Sequence, residues 1–337
     1  MATSVAVLGA GSWGTTVASL AAHNASASLW ARRAELAQDI ATTRVNHSYL
    51  PGFQLPDRLS ATSSLEEACT GADVVVMAVP SHGFRDILSA ASPHVASGVP
   101  VVSVTKGVEQ NSLKRMTEIV AELLAGHPYG VLTGPNLAKE VVAGYPAASV
   151  VAVDDPTMPS ELQRLFSTDS FRVYTNPDVV GCELGGALKN VMAIASGIAD
   201  GMGFGDNTRA ALITRGLAEL TRLGVRLGGE PLTFAGLAGM GDLVATCISR
   251  QSRNRHVGEE LGRGMSIEQV VAEMRMVAEG VKTSRAVVDL AERVGVEMPI
   301  AEQVVEVLYE GKVATEIVPA LMQREVKPEL HGMTAQG

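Results

Sequence analysis

The amino-acid sequence predicts an α/β Rossmann-type N-terminal domain, residues 1–177, followed by an all-α C-terminal domain, residues 178–337. A chain of 337 residues is long enough for about two domains, each burying its own core. Apolar residues make up 46% of the chain while aromatics reach only 4%. The cores are therefore built from Ala, Val, Leu and Ile, which suits parallel sheets and closely packed helices. Short apolar runs alternate with helical stretches as far as Asn176-Pro177 and then give way to helical patterns alone, which places the boundary.

Taken in order, Ser4 to Leu8 reads as a buried strand running into Gly9-Ala10-Gly11-Ser12-Trp13-Gly14 and the apolar helix Thr15 to Ala22. This is GxGxxG in strand-turn-helix context. The first glycine makes the tight turn, the second lets backbone approach a pyrophosphate, and the third lets helix pack on strand. The helix N-terminus favours the anion. The next strand, Ala27 to Trp30, ends at Ala31-Arg32-Arg33, where a strict NAD site has an acidic residue for the ribose. Two arginines there suit a 2′-phosphate and admit NADP; the alternative is a solvated helix start. A helix then ends at Tyr49-Leu50-Pro51.

Leu59 to Thr62 follows as a strand, Ser64 to Cys69 as a short serine-capped helix, and Asp73 to Val79 as a fully apolar strand. Val99 to Val104 delivers Thr105-Lys106-Gly107 to its carboxyl end, and Tyr129 to Thr133 delivers Gly134-Pro135-Asn136-Leu137-Ala138-Lys139-Glu140. Ligands of open α/β sheets sit at that edge. Lys106 is a candidate for a substrate or cofactor phosphate, or else a surface lysine. Pro135 suits the first turn of a helix. Ala147 to Val153 and Phe171 to Tyr174 complete the sheet around a helix from Met158 to Phe166.

In the second domain Lys189 is set among Leu188, Val191, Met192, Ile194, Ala195 and Ile198. A helix apolar all round is buried, so its lysine has a partner, a task or a route to solvent. A glycine-rich turn over Gly197, Gly201, Gly203 and Gly205, interleaved with Asp200, Asp206 and Asn207, would let backbone pass close to something small. Thr208 to Gly224 reads as an amphipathic helix and Pro231 to Gly241 as glycine-broken chain. Asp242 either orients a lysine or caps the helix Leu243 to Ile248. The stretch Ser249-Arg250-Gln251-Ser252-Arg253-Asn254-Arg255 is a dense basic cluster in an acidic chain, suited to a phosphomonoester or to a solvated face.

A net charge of −9 argues against nucleic acid and against an anionic membrane surface. Cys69, Cys182 and Cys247 form no CxxC pair, which predicts neither a disulfide framework nor a metal site and fits a reducing cytoplasm. No basic segment precedes the first apolar run, and the apolar runs are too short for membrane insertion.

The residues Gly186-Ala187-Leu188-Lys189-Asn190, followed by Ala193, Gly197, Asp200-Gly201, Phe204-Gly205 and Asn207, resemble the signature of the bacterial-type NAD(P)-dependent glycerol-3-phosphate dehydrogenases. Tyr49-Leu50-Pro51, Ser252-Arg253-Asn254 and the segment Met276 to Val281 are similar to that family too, and the likeness weakens toward the C-terminus. It implies interconversion of dihydroxyacetone phosphate and sn-glycerol 3-phosphate by hydride transfer with NAD or NADP, supply of glycerophospholipid synthesis, and a homodimer. Lys189 would be the catalytic general acid and base. Substrate contacts would come from Lys106, Gly134, Asn136, Lys189, Asp242, Ser252, Arg253 and Asn254. Cofactor contacts would come from Gly9, Gly11, Ser12, Trp13, Gly14, Arg32, Arg33, Tyr49, Lys106, Ala138, Arg253, Val277 and Glu279. Asn136 departs from the family, which carries Ser or Thr there. Two other readings share these features: a dehydrogenase of the 6-phosphogluconate or hydroxyisobutyrate type, and a redox-sensing dinucleotide-binding protein without turnover.

Overall fold

The computed structural model describes residues 3–274 and 278–329. Its first compact unit runs to Lys106 and resumes from Lys114 to Val179; the second takes Gly107–Leu113 and the chain from Val180 on.

In the first unit the strands are β1 (Ser4–Leu8), β2 (Ser26–Trp30), β3 (Val45–Asn46), β4 (Leu50–Gln54), β5 (Leu59–Thr62), β6 (Val74–Met77), β7 (Val101–Ser103), β8 (Tyr129–Thr133), β9 (Ala147–Val153) and β10 (Phe171–Thr175). Eight of them form one sheet in the order β10-β9-β8-β7-β6-β1-β2-β5. All its neighbours are parallel except β8 and β9, where Gly130 faces Val153. β1 is flanked by β2 on one side and β6 on the other, so the chain reverses its direction of travel across the sheet there. That switch point opens a crevice beyond the strand ends. Strand residues Val5, Val7, Val76 and Val102 are fully buried in one apolar cluster, as β-branched side chains in a covered parallel sheet should be.

The helices of this unit are α1 (Ser12–Asn24), α2 (Ala34–Thr43), α3 (Leu65–Cys69), α4 (Phe84–Ala91), α5 (Met116–Leu123), α6 (Ala138–Val142) and α7 (Pro159–Phe166). Ser64 caps α3, its side chain accepting from the Glu67 amide. Two expectations need correction. α2 ends at Thr43, and Tyr49-Leu50-Pro51 leads into β4 of a small antiparallel hairpin with β3; a left-handed Arg44, φ 57°, stops the helix early. α6 begins at Ala138 with Leu137 as its cap, so Pro135 lies in the approach to the helix and outside its first turn.

The second unit is helical: α8 (Val179–Gly201), α9 (Asp206–Arg226), α10 (Pro231–Ala235), a π turn over Leu237–Gly241, α11 (Asp242–Ile248), α12 (Arg253–Gly262), α13 (Ile267–Glu273), α14 (Glu279–Arg293), α15 (Pro299–Tyr309) and α16 (Ile317–Met322). α8 is long and apolar enough to cross a membrane, yet it is the buried central helix of this unit. The sequence predicts a glycine-rich turn from Gly197 on, but Gly197 and Gly201 lie within the helix. A Cβ at Gly197 would be 2.0 Å from the Arg255 carbonyl oxygen, and one at Gly201 2.1 Å from that of Glu259. Gly258 and Gly262 on α12 meet Ile194 and Ile198 in the same way. The small object that passes close to this backbone is thus the backbone of α12. Gly203, with φ +81°, makes the turn. Segment 107–113 packs here as well: Val108 clusters with Ala187 and Ala286, and the Gln110 amide donates to the Lys282 carbonyl at 2.8 Å.

Candidate functional site

The glycine loop leaves β1 at the switch point. Gly9 has φ +126°, and a Cβ there would strike the Ala78 carbonyl oxygen at 2.4 Å, so strand packing and conformation both demand glycine. At Gly14 a Cβ would lie 1.9 Å from the Gly9 oxygen, whereas at Gly11 it meets nothing within 4 Å. Two glycines are thus fixed by the protein's own packing, and the third borders open space at the N-terminus of α1. That first turn carries no acidic residue and has no side-chain cap, which leaves its N–H groups to an anion. The residues present therefore fit a dinucleotide pyrophosphate.

Around the loop, the Ser12 hydroxyl donates to the Tyr49 carbonyl at 3.0 Å. Asn46, fully buried, donates to the Ala10 carbonyl at 3.0 Å and the Thr15 hydroxyl at 2.8 Å, and accepts from the Tyr49 amide. The hairpin thereby braces the glycine turn. Trp13 lies 6.4 Å from Phe171, and its buried indole Nε1 has no hydrogen-bond partner among the described residues. Arg32 and Arg33 are exposed at the end of β2, Arg33 as the cap of α2.

β6, β7 and β8 run parallel to β1, so Lys106 and the Thr133–Asn136 turn leave the sheet at the same edge. Lys106 Nζ donates to the Gly134 carbonyl at 3.0 Å. Gly134, φ +146°, has the Ser149 Cα 3.1 Å from where its Cβ would be. The Ser149 hydroxyl donates to the Thr133 carbonyl at 2.6 Å and accepts from the Asn136 amide at 3.1 Å. This leaves the Thr133 Oγ1 and the Asn136 Oδ1 buried without partners among the described residues. Buried polar atoms are nearly always paired, so the cradle offers a ligand one carbonyl acceptor, from Asn136, and one hydroxyl that can donate or accept, from Thr133. Just beyond it, the Ala138 carbonyl accepts from the Thr16 hydroxyl of α1 at 3.3 Å.

In the second unit Lys189 is 6% exposed on α8. Its Nζ donates to Asp242 Oδ1 at 2.7 Å and to the Thr246 hydroxyl, which in turn donates to the Asp242 backbone carbonyl. The lysine does not snorkel; α11 brings a buried carboxylate to it. Nor is Asp242 a side-chain cap, since α11 continues from the π turn through Gly241. Neutralisation by Asp242 is what makes the buried ammonium tolerable.

The basic cluster around α12 divides by role. The Ser252 hydroxyl caps α12 by accepting from the Arg255 amide. Arg255 is tied to Asp200 at 2.7 Å and to Glu259 at 3.1 Å. Asn254 Oδ1 accepts from the Gly280 amide at 2.9 Å, anchoring the start of α14. Arg253 stays at the surface but densely surrounded: desolvation lowers its pKa, while the charge of Glu279 at the head of α14 raises it. It remains cationic in the neutral range. Val277 lies outside the described residues.

Three contributors carried no signal strong enough to single them out beforehand. Thr246 sits four residues after Asp242 and so shares its helix face, a spacing that could have been read. Asn46 and Ser149 act from separate strands, and nothing local distinguishes them from any other polar strand residue.

A glycine loop at a sheet's switch point, in a chain whose helical unit buries a lysine against an aspartate, defines a dinucleotide-dependent dehydrogenase. Comparison with known proteins narrows this. Residues 4–158 match the family model of the NAD-dependent glycerol-3-phosphate dehydrogenase N-terminus and residues 178–319 that of its C-terminus; the chain belongs to this family. It is 56% identical over 327 residues to glycerol-3-phosphate dehydrogenase [NAD(P)+] 2 of Sphingopyxis alaskensis, covering 97% of this chain and 98% of that protein. It is 53% identical to the Geobacter sulfurreducens enzyme of the same kind, covering 98% and 99%. The crystal structure of glycerol-3-phosphate dehydrogenase from Coxiella burnetii superposes with a TM-score of 0.92 at 36% identity, covering 96% and 99%.

Proposed function

We infer that the chain interconverts dihydroxyacetone phosphate and sn-glycerol 3-phosphate with NAD(P)H, and so supplies the backbone of glycerophospholipids. The observation that carries this is the buried Lys189–Asp242–Thr246 cluster in a chain matching both halves of the family. The first domain, 1–177, holds the dinucleotide through the Gly9–Gly14 loop and the head of α1, with Tyr49, Ala138 and Lys106 around it. Arg32 and Arg33 receive the 2′-phosphate when the cofactor is NADP. The second, 178–337, supplies acid–base chemistry.

Bound NAD(P)H supplies the hydride to the carbonyl carbon of the ketone. As charge develops on the carbonyl oxygen, the Lys189 ammonium gives that oxygen a proton; in oxidation the neutral amine takes it from the alcohol. Asp242 and Thr246 fix the direction of Nζ. Arg253 holds the substrate phosphate, with Ser252 and Asn254 setting its position through α12 and α14, and Glu279 beside it. In the first unit, Lys106 offers a donor to the substrate, the Asn136 side-chain oxygen an acceptor and the Thr133 hydroxyl either, with the Gly134 carbonyl holding the Lys106 ammonium. A homodimer and a cytoplasmic location are carried as part of the same proposal; the three buried thiols suit a reducing compartment.

The test is oxidation of NAD(P)H by dihydroxyacetone phosphate, compared with unphosphorylated dihydroxyacetone. Arg253→Ala should cost about 2–5 kcal/mol in kcat/KM for the phosphorylated ketone and much less for the other. An equal loss on both substrates would remove Arg253 from the phosphate site.

A further inference from the structure

The second unit contains a cavity of about 320 Å³ that the chemistry above leaves unused. Its walls are apolar: Ala195 and Ile198 from α8, Met202 just after it, Leu212 from α9, Val304 from α15 and Leu321 from α16. Arg215, Arg222 and Arg324 also line it. We propose that this cavity binds a monomeric single-chain alkyl phosphate, its chain among the apolar side chains and its phosphate among Arg215, Arg222 and Arg324.

The volume lies at the small end of ligand pockets, about 300–1,000 Å³, which suits one alkyl chain and excludes a two-chain lipid. The pocket is partly open to solvent, and an alkyl chain laid against its apolar walls is removed from water. Glu219 and Glu297 favour the Arg222 cation while Arg215 and Arg324 oppose it, so three cations and two carboxylates share this end of the cavity and the arginines are in excess. Arg215 donates to the Glu329 carbonyl at 3.0 Å, Arg222 to the Glu297 carbonyl at 3.4 Å, and Arg324 to the Glu297 carboxylate at 3.0 Å. Each guanidinium has five N–H donors in a fork that matches phosphate oxygens. The acid lining the cavity, Glu219, is 2% exposed and accepts from the Ile300 and Ala301 amides at the head of α15, so it is turned to the helix. Charged residues are depleted from the cores of interfaces between copies of a chain, so three arginines lining this cavity favour a small anionic amphiphile over self-association as the occupant.

Titration calorimetry of the full chain with n-decyl phosphate, below its micelle concentration, tests the assignment. One molecule per chain should bind, with n-decanol about tenfold weaker or worse, since a charge-assisted contact is lost. Ala211, exposed at the cavity, can be replaced without touching the core. Ala211→Trp should weaken decyl phosphate by about tenfold or more with an unchanged melting temperature, because the indole fills the space of several methylenes. The double variant Arg215→Gln/Arg324→Gln should weaken decyl phosphate but leave decanol unaltered. Equal binding of decanol and decyl phosphate, or undiminished binding by Ala211→Trp, overturns the proposal. Two further outcomes do the same: a change of sedimenting mass in Ala211→Trp, which makes the face a contact between copies, and binding to phosphatidylglycerol vesicles without binding to the monomer.

Discussion

At Gly11 an added methyl group would meet nothing within 4 Å, whereas at Gly197 it would lie 2.0 Å from a carbonyl oxygen of a neighbouring helix. Both glycines belong to glycine-rich stretches that read alike as strings. The first stands at the end of a strand, where the next element turns away and leaves room. The second lies inside a helix, where the room is already taken by α12. Glycine spacing therefore announces close approach without saying whether a ligand or the chain itself does the approaching; the secondary structure around it decides.

The largest effect expected lies on α8, which combines chemistry at Lys189 with packing at Gly197. Lys189→Met should lower kcat by about 10²–10⁴ where chemistry is rate-limiting, with NAD(P)H binding kept and the melting temperature lowered, because Asp242 is left buried without its cation. Retention of more than about a tenth of kcat would move proton transfer elsewhere, and Lys106 in the first unit would be tested next.

A second probe asks how completely the helical unit is sealed. Burial, the dominant cause, pushes the Glu219 carboxyl up from 4.5 to about 7, against the Ile300 and Ala301 amides and Arg222, which lower it; Glu302 raises it. A raised carboxyl pKa means that its contribution to stability is full below the unfolded value and is lost as pH rises through the folded one. Glu219→Gln should therefore gain stability relative to wild type between about pH 5 and pH 8, by up to about 3 kcal/mol. A flat difference across that range in denaturant titrations would show that water reaches this carboxylate.

Alanine at Gly197 and at Gly11 should have opposite consequences. In Gly197→Ala, helix propensity favours alanine by about 1 kcal/mol, but the clash with the Arg255 carbonyl outweighs it. A net loss of about 2 kcal/mol is expected, or roughly 5 °C in Tm. Gly11→Ala, at an extended φ of −73° and ψ of 178° that alanine adopts freely, should melt like wild type while raising KM for NAD(P)H by about tenfold, because the methyl stands where the pyrophosphate approaches. Destabilisation by Gly11→Ala would put both glycines in the same class.

The smallest effect concerns cofactor choice. Replacing Arg32 and Arg33 with alanine should weaken NADPH relative to NADH by about tenfold, a surface contact to one phosphate. If wild type oxidises NADH alone, these two arginines only solvate the start of α2.

Most strands were legible because a buried parallel strand needs a continuous β-branched run, and Val74 to Met77 or Val101 to Ser103 can be little else. Ends of elements were less so. Nothing in the string marks the left-handed Arg44 that stops α2, and without that stop Tyr49 is drawn into a helix. Within the site, Lys189 stood out because a cation in an apolar helix is an energetic anomaly. The basic cluster was misleading in its density: Arg255 faces Asp200, which is far away in sequence, and only the fold separates this structural ion pair from the more exposed Arg253. Pairings across sequence distance, such as Ser149 with Asn136, leave no local periodicity to detect.

Segment 107–113 lies between strands of the first unit in sequence yet packs into the second, with Val108 1% exposed. Genetic exchange between relatives at the linker near residue 178 would look like a clean swap of one domain. It would instead carry a foreign 107–113 against a resident Ala187, Ala286 and Lys282. The side chain at position 108 and the residues it meets on α8 and α14 must therefore be inherited together. Chimeras of this chain should succeed only when that short strap travels with the helical unit, or when its few contacts happen to agree.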